Sequence, residues 1–117
     1  MPTIRELVQA LGARDGVDAV LVVGRDGLPI DAHTPNGIDP DSVAALLPPA
    51  IKAIQELGAA GSRGDLGTAV IEFGHGLAVV AVLSAEALLI ILVRPSTNVG
   101  GLLFDLRRHR SAIAGLL

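Results

Sequence analysis

The 117-residue chain has no cysteine, no tryptophan and no tyrosine, one lysine (Lys52) and two phenylalanines, Phe73 and Phe104. Each shortage excludes something. Without cysteine there is no disulfide framework, no thiolate metal site and no cysteine nucleophile. Two phenylalanines alone provide no stacking platform for single-stranded nucleic acid. The formal charge of −3 denies the chain the basic balance that a phosphate backbone attracts, so no nucleic-acid partner is expected. The opening residues Met1 to Glu6 lack the basic start, apolar stretch and cleavage site of a secretory signal, which makes the cytoplasm the expected location.

What the chain has is aliphatic: half of its residues are hydrophobic. That is too many for disorder, and the length fits a single domain over residues 1–117. The most apolar stretch, Gly76 to Val93, approaches the length of a membrane span but is interrupted by Ser84-Ala85-Glu86. A carboxylate at the centre of a spanning helix costs roughly 2.5–3.5 kcal/mol. Two buried strands and a turn fit better, and no stable membrane insertion is expected.

Thr3 stands three residues before Glu6, a capping box, and Ile4, Leu7, Val8 and Leu11 follow at helical spacing. Gly12 and Gly16 are stop signals. Val17 to Val23 and Leu28 to Ala32 read as strands around Asp26-Gly27, a hairpin turn, with Pro29 placing the second strand at a sheet edge. Asp39 can cap a helix with Pro40 in its first turn. Val43, Leu46, Leu47, Ala50, Ile51, Ile54 and Leu57 keep one apolar face through Pro48-Pro49, which predicts one bent helix ending at Gly58. Gly58, Gly61, Gly64 and Gly67 mark a flexible connection. Leu66–Phe73, Leu77–Leu83 and Ala87–Val93 are three more strands on short, antiparallel connections. The last two are apolar throughout, which implies cover on both faces. After Pro95, Ser96, Thr97 or Asn98 can cap a final helix whose core face is Val99, Leu102, Leu103, Leu106, Ile113 and Leu117. The order α-β-β-α-β-β-β-α implies an α+β domain, a five-stranded antiparallel sheet with helices on both faces.

No catalytic constellation is assembled. His33, His75 and His109 are scattered, Asp31 with His33 is the best local pair, and no nucleophile stands with a base and an orienting group. Arg107-Arg108-His109-Arg110 could serve an anionic surface, or could simply complement a helix C-terminus. That directs attention to association. The strand 66–73 presents Leu66, Thr68, Val70 and Glu72 on one face and Ala69, Ile71 and Phe73 on the other. At a sheet edge it would expose a long, poorly protected row of backbone groups, which a second copy could pair across a two-fold axis. As an internal strand it would do neither.

With these pieces in place, the whole of residues 3–117 resembles the Roadblock/dynein light chain family, whose fold is profilin-like. The resemblance rests on Gly16-Val17-Asp18-Ala19-Val20-Leu21-Val22-Val23 running into Arg25-Asp26-Gly27-Leu28-Pro29-Ile30, on Asp41-Ser42-Val43-Ala44-Ala45, on the Ala87–Val93 strand and on Asn98-Val99-Gly100. It implies a dimer with a ten-stranded sheet, no catalytic centre and no cofactor. Bacterial and archaeal members commonly partner a small Ras-like GTPase, and the type known from gliding motility stimulates its GTPase without an arginine finger. By resemblance the homodimer contact falls on Leu66, Thr68, Val70, Ile71 and Glu72 with the second helix, and the GTPase-facing surface on Lys52, Gln55 and Glu56. Pro48-Pro49 departs from the plain helix expected there. A scaffold that leaves GTP turnover unchanged and a small-ligand sensor are the alternatives.

Overall fold

The computed structural model describes residues 3–116. Thr3 caps the first helix, α1 (Ile4–Gly12), its hydroxyl accepting the Glu6 N–H at 3.1 Å. Strands β1 (Val17–Gly24) and β2 (Pro29–His33) follow. Helix α2 (Pro40–Ala60) is capped by Asp39 and is succeeded by β3 (Thr68–Phe73), β4 (Gly76–Val82) and β5 (Ala87–Val93). Helices α3 (Gly100–Arg108) and α4 (Arg110–Ala114) complete the described residues.

The five strands form one antiparallel sheet in the order β2-β1-β5-β4-β3. Side chains alternate across it and build two aliphatic layers. Val20, Val22, Val79, Ala81, Leu89 and Ile91 meet Val8 and Leu11 of α1, Leu102 and Leu106 of α3 and Ile113 of α4. Ala19, Leu21, Val23, Ala78, Val80, Leu88 and Ile90 meet Ala44, Leu47 and Ile51 of α2. The fold is thus α+β, with helices on both faces, and β4 and β5 are covered on both sides as their composition requires.

Two tight turns depend on glycine. Gly27, at φ +82°, closes the β1–β2 hairpin with its N–H on the Gly24 carbonyl at 3.0 Å. Gly76, at φ +147°, opens β4 so close to the Val93 carbonyl that a β-carbon there would overlap the oxygen.

Four expectations need correction. The final helix is not continuous: it breaks at His109, with α4 a separate short turn. Its expected core residues Val99, Leu102, Leu103, Leu106 and Ile113 do pack inward, and Leu117 lies outside the described residues. Helix α2 does run through Pro48 and Pro49, but ends at Ala60 with Gly61 as its cap, rather than at Gly58. Gly58 serves instead as a point of close approach, since a β-carbon there would sit 2.9 Å from the Gly64 carbonyl oxygen. Residues 43–57 of α2 are not one apolar face: Ala44, Leu47 and Ile51 are buried, whereas Leu46 and Leu57 point away from the sheet and are 70% and 72% exposed. Finally, Leu66 does not share a face with Thr68, Val70 and Glu72. It precedes the strand, so alternation does not reach it, and it packs with Ala69 and Ile71 on the α2 side.

Candidate docking seam at β3 and the outer face of α2

The sheet has two edges of opposite character. On β2 the edge is short, begins with Pro29 and is irregular where the β1–β2 register shifts between Val22 and Val23. It also carries Asp31, whose side chain is turned inward and bridged by Arg5 at 3.2 Å. Proline, a bulge, brevity and an inward charge are the devices by which sheets refuse further strands. Strand β3 has none of them. It pairs with β4 in unbroken register from Thr68 opposite Ala81 to Phe73 opposite Gly76, and its other side is open. Val70 is 43% exposed and Phe73 60% exposed, and Glu72 is its one charged residue.

Helix α2 packs over β1, β2 and β5, and its C-terminal half reaches this edge. The Gln55 carboxamide oxygen accepts the Leu66 N–H at 3.0 Å, and Leu66, Ala69 and Ile71 pack into the layer beneath the helix. Besides its buried face, α2 carries a second series at helical spacing: Leu46, Ala50, Ala53 and Leu57, all exposed. An apolar stripe on a helix is normally buried. Among the described residues nothing covers this one.

The proposed site residues therefore separate. Lys52 and Glu56 are exposed beside the outer stripe. Gln55 is half-buried, its side-chain oxygen already committed to Leu66. Thr68, Val70 and Glu72 stand on the α3 side of the edge, and Leu66 and Ile71 on the α2 side. Thr68 accepts a hydrogen bond from the Arg110 guanidinium at 2.9 Å. The outer stripe of α2 escaped the sequence reading. The signal was present in the i, i+4, i+7, i+11 series from Leu46, but it merged with the inner series from Ala44.

Asp39 has its carboxyl held below the usual carboxylate range, first by the Ser42 hydroxyl and then by the Asp41 N–H, as a helix cap. The best local pair, Asp31 and His33, is not assembled as a dyad. Asp31 accepts from Arg5 and the Ala32 N–H, and the His33 ring lies against Gly12. Among the described residues no group of three His, Asp or Glu could hold a metal ion.

The family model for the Roadblock/LC7 domain matches residues 3–93. The chain belongs to that family. Two uncharacterised proteins from Methanocaldococcus jannaschii are each 27% identical over 113 residues, covering 97% of this chain and 98% of theirs. Among solved structures, the Roadblock/LC7 domain from Streptomyces avermitilis superposes with a TM-score of 0.84 at 19% identity, covering 97% of both chains. Myxococcus xanthus MglB superposes at 0.80 with 15% identity, covering 92% of this chain and 88% of that one. The two solved structures share the fold of this chain over nearly its whole length.

Proposed function

We propose that this Roadblock chain is a non-catalytic, homodimeric regulator or adaptor of a small Ras-like GTPase, working in the cytoplasm. The observation that carries the dimer is the continuity of the open β3 edge with the uncovered apolar stripe of α2. Antiparallel pairing of β3 with β3 of a second copy continues the sheet to ten strands about a two-fold axis normal to it. The same operation brings the C-terminal halves of the two α2 helices toward each other, where Leu57 gains cover. Burying one such side chain fully is worth about 1.5–3 kcal/mol. Lys52 and Glu56 border the paired helices and are the polar groups available to a partner on that face, with Gln55 holding the helix against the edge strand. Both the GTPase and the non-catalytic mode of action rest on family kinship.

Light scattering on the pure chain at micromolar concentration tests the dimer. Mixing the dimer with the Ras-like GTPase of its own genome and following phosphate release tests the regulator. A faster or slower release supports it. Binding with unchanged release assigns a scaffold role instead, and no binding to any such GTPase overturns the reading.

A further inference from the structure

Both phenylalanines of an otherwise aliphatic chain stand in solvent. Phe73 lies at the β3 edge, where the proposed seam accounts for it. Phe104 does not: it is 62% exposed on α3, on the opposite face of the sheet. Arg107 and Arg108 follow at i+3 and i+4 on the same side of the helix, both exposed. One turn earlier, Gly100 and Gly101 leave the ring unmasked. Asp105 is engaged by Arg14 at 2.6 Å.

The charge is unevenly spread. Residues 87–117 hold four arginines and one aspartate, +3, whereas residues 1–86 hold five cations and eleven acids, −6. Arg94 precedes the C-terminal helices, which themselves hold three arginines against Asp105, +2. They are a basic region on an acidic chain, and share their face with Glu6 of α1 and Glu72 of β3. These helices are also placed beside the seam, because Arg110 at the α3–α4 junction binds Thr68 at the start of β3. A two-fold axis normal to the sheet keeps both α3 helices on one side of it. The dimer therefore carries two phenylalanines and four outward arginines in a single layer, with the α2 helices on the far side.

We propose that this layer adsorbs to an anionic bilayer, with Arg107 and Arg108 on headgroup phosphates and Phe104 at the boundary of the acyl region. The inference rests on the dimer reading, which makes the two patches coplanar. Repetition of one convex patch in a common plane matches a flat surface, which needs no complementary pocket. Attachment by this layer turns the α2 face toward the protein partner.

The test is co-sedimentation of the full chain with vesicles of phosphatidylcholine containing roughly one-third phosphatidylglycerol, against phosphatidylcholine alone. Light scattering in the same buffer reports the dimer. The dimer is expected to bind the anionic vesicles only, and less as salt rises. Arg107→Glu with Arg108→Glu should lower partitioning more than about a hundredfold, at roughly fivefold per arginine removed from the dimer. Phe104→Ser should lower it several-fold with the circular dichroism unchanged. A dimer that ignores the anionic vesicles, that binds them equally in the variants, or that binds duplex DNA or an acidic peptide instead overturns the bilayer proposal and leaves the dimer standing. A monomer in light scattering overturns the dimer reading and the coplanar layer with it.

Discussion

The Gln55 side-chain oxygen accepts the Leu66 N–H at 3.0 Å, which ties α2 to the residue that leads into β3. The two halves of the seam are held together by this bond. Gln55→Leu leaves the half-buried Leu66 N–H unpaired, at a cost of about 1–3 kcal/mol. Thermal unfolding and faster amide exchange at Leu66 are the readouts. Lys52→Ala, exposed one turn earlier on the same helix, should stay within about 0.5 kcal/mol of the parent.

Val70→Arg should convert the dimer to monomer in light scattering. It places a charge on the open strand where two copies would meet, with little effect on the folding of the single chain because Val70 is already half in solvent. Leu57→Glu should weaken the dimer by the same assay from the α2 side. A dimer unchanged in both variants would remove β3 and α2 from the interface.

Gly76→Ala should be among the most damaging single changes, more than about 3 kcal/mol in denaturant unfolding, since the new methyl group meets the Val93 carbonyl and the backbone is at φ +147°. Gly74→Ala, two residues away in the same turn with open space around it, serves as the control and should cost less than about 1 kcal/mol.

Arg110→Met keeps the aliphatic stem but removes the donor to Thr68, at an expected cost of about 1 kcal/mol. Paired with Thr68→Val in a double-mutant cycle, the two losses should be non-additive. Additive losses would show that the bond contributes nothing to holding α4 against the edge.

Asp39 offers a pH test. Its carboxylate accepts from the Ser42 hydroxyl at 2.6 Å and the Asp41 N–H at 3.1 Å, so its folded pKa is depressed. A depressed carboxyl stabilises the fold above its unfolded pKa, and that contribution disappears as pH falls through the folded value. An NMR titration should find its midpoint below the usual carboxylate range. In Ser42→Ala the midpoint should move upward.

Much of this was legible in the letters because punctuation and periodicity agree. Thr3, Asp39 and Pro40 mark helix starts, Asp26-Gly27 marks a hairpin, and Pro29 marks an edge. The errors cluster where hydrophobicity ceases to distinguish inside from outside. Leu46 and Leu57 are as apolar as Leu47 and Ile51, so a helix with two apolar stripes cannot be phased without its neighbours. Gly58 looked like a stop because a close approach by a loop and a helix end call for the same residue. Leu66 was assigned to the wrong face because the pleat begins only at Thr68. The break at His109 has no proline or glycine to announce it.

Pro48 and Pro49 have a consequence of their own. They cannot donate to the carbonyls of Ala44 and Ala45, the pair that faces the hairpin: a β-carbon on Gly27 would lie 3.7 Å and 3.9 Å from those oxygens and 3.5 Å from the Ala45 Cα. A helix whose own ladder lapses where a neighbouring turn touches it can be bent there with few bonds to break. Movement imposed on α2 from outside would register first at the tip of the β1–β2 hairpin, on the side of the sheet away from β3.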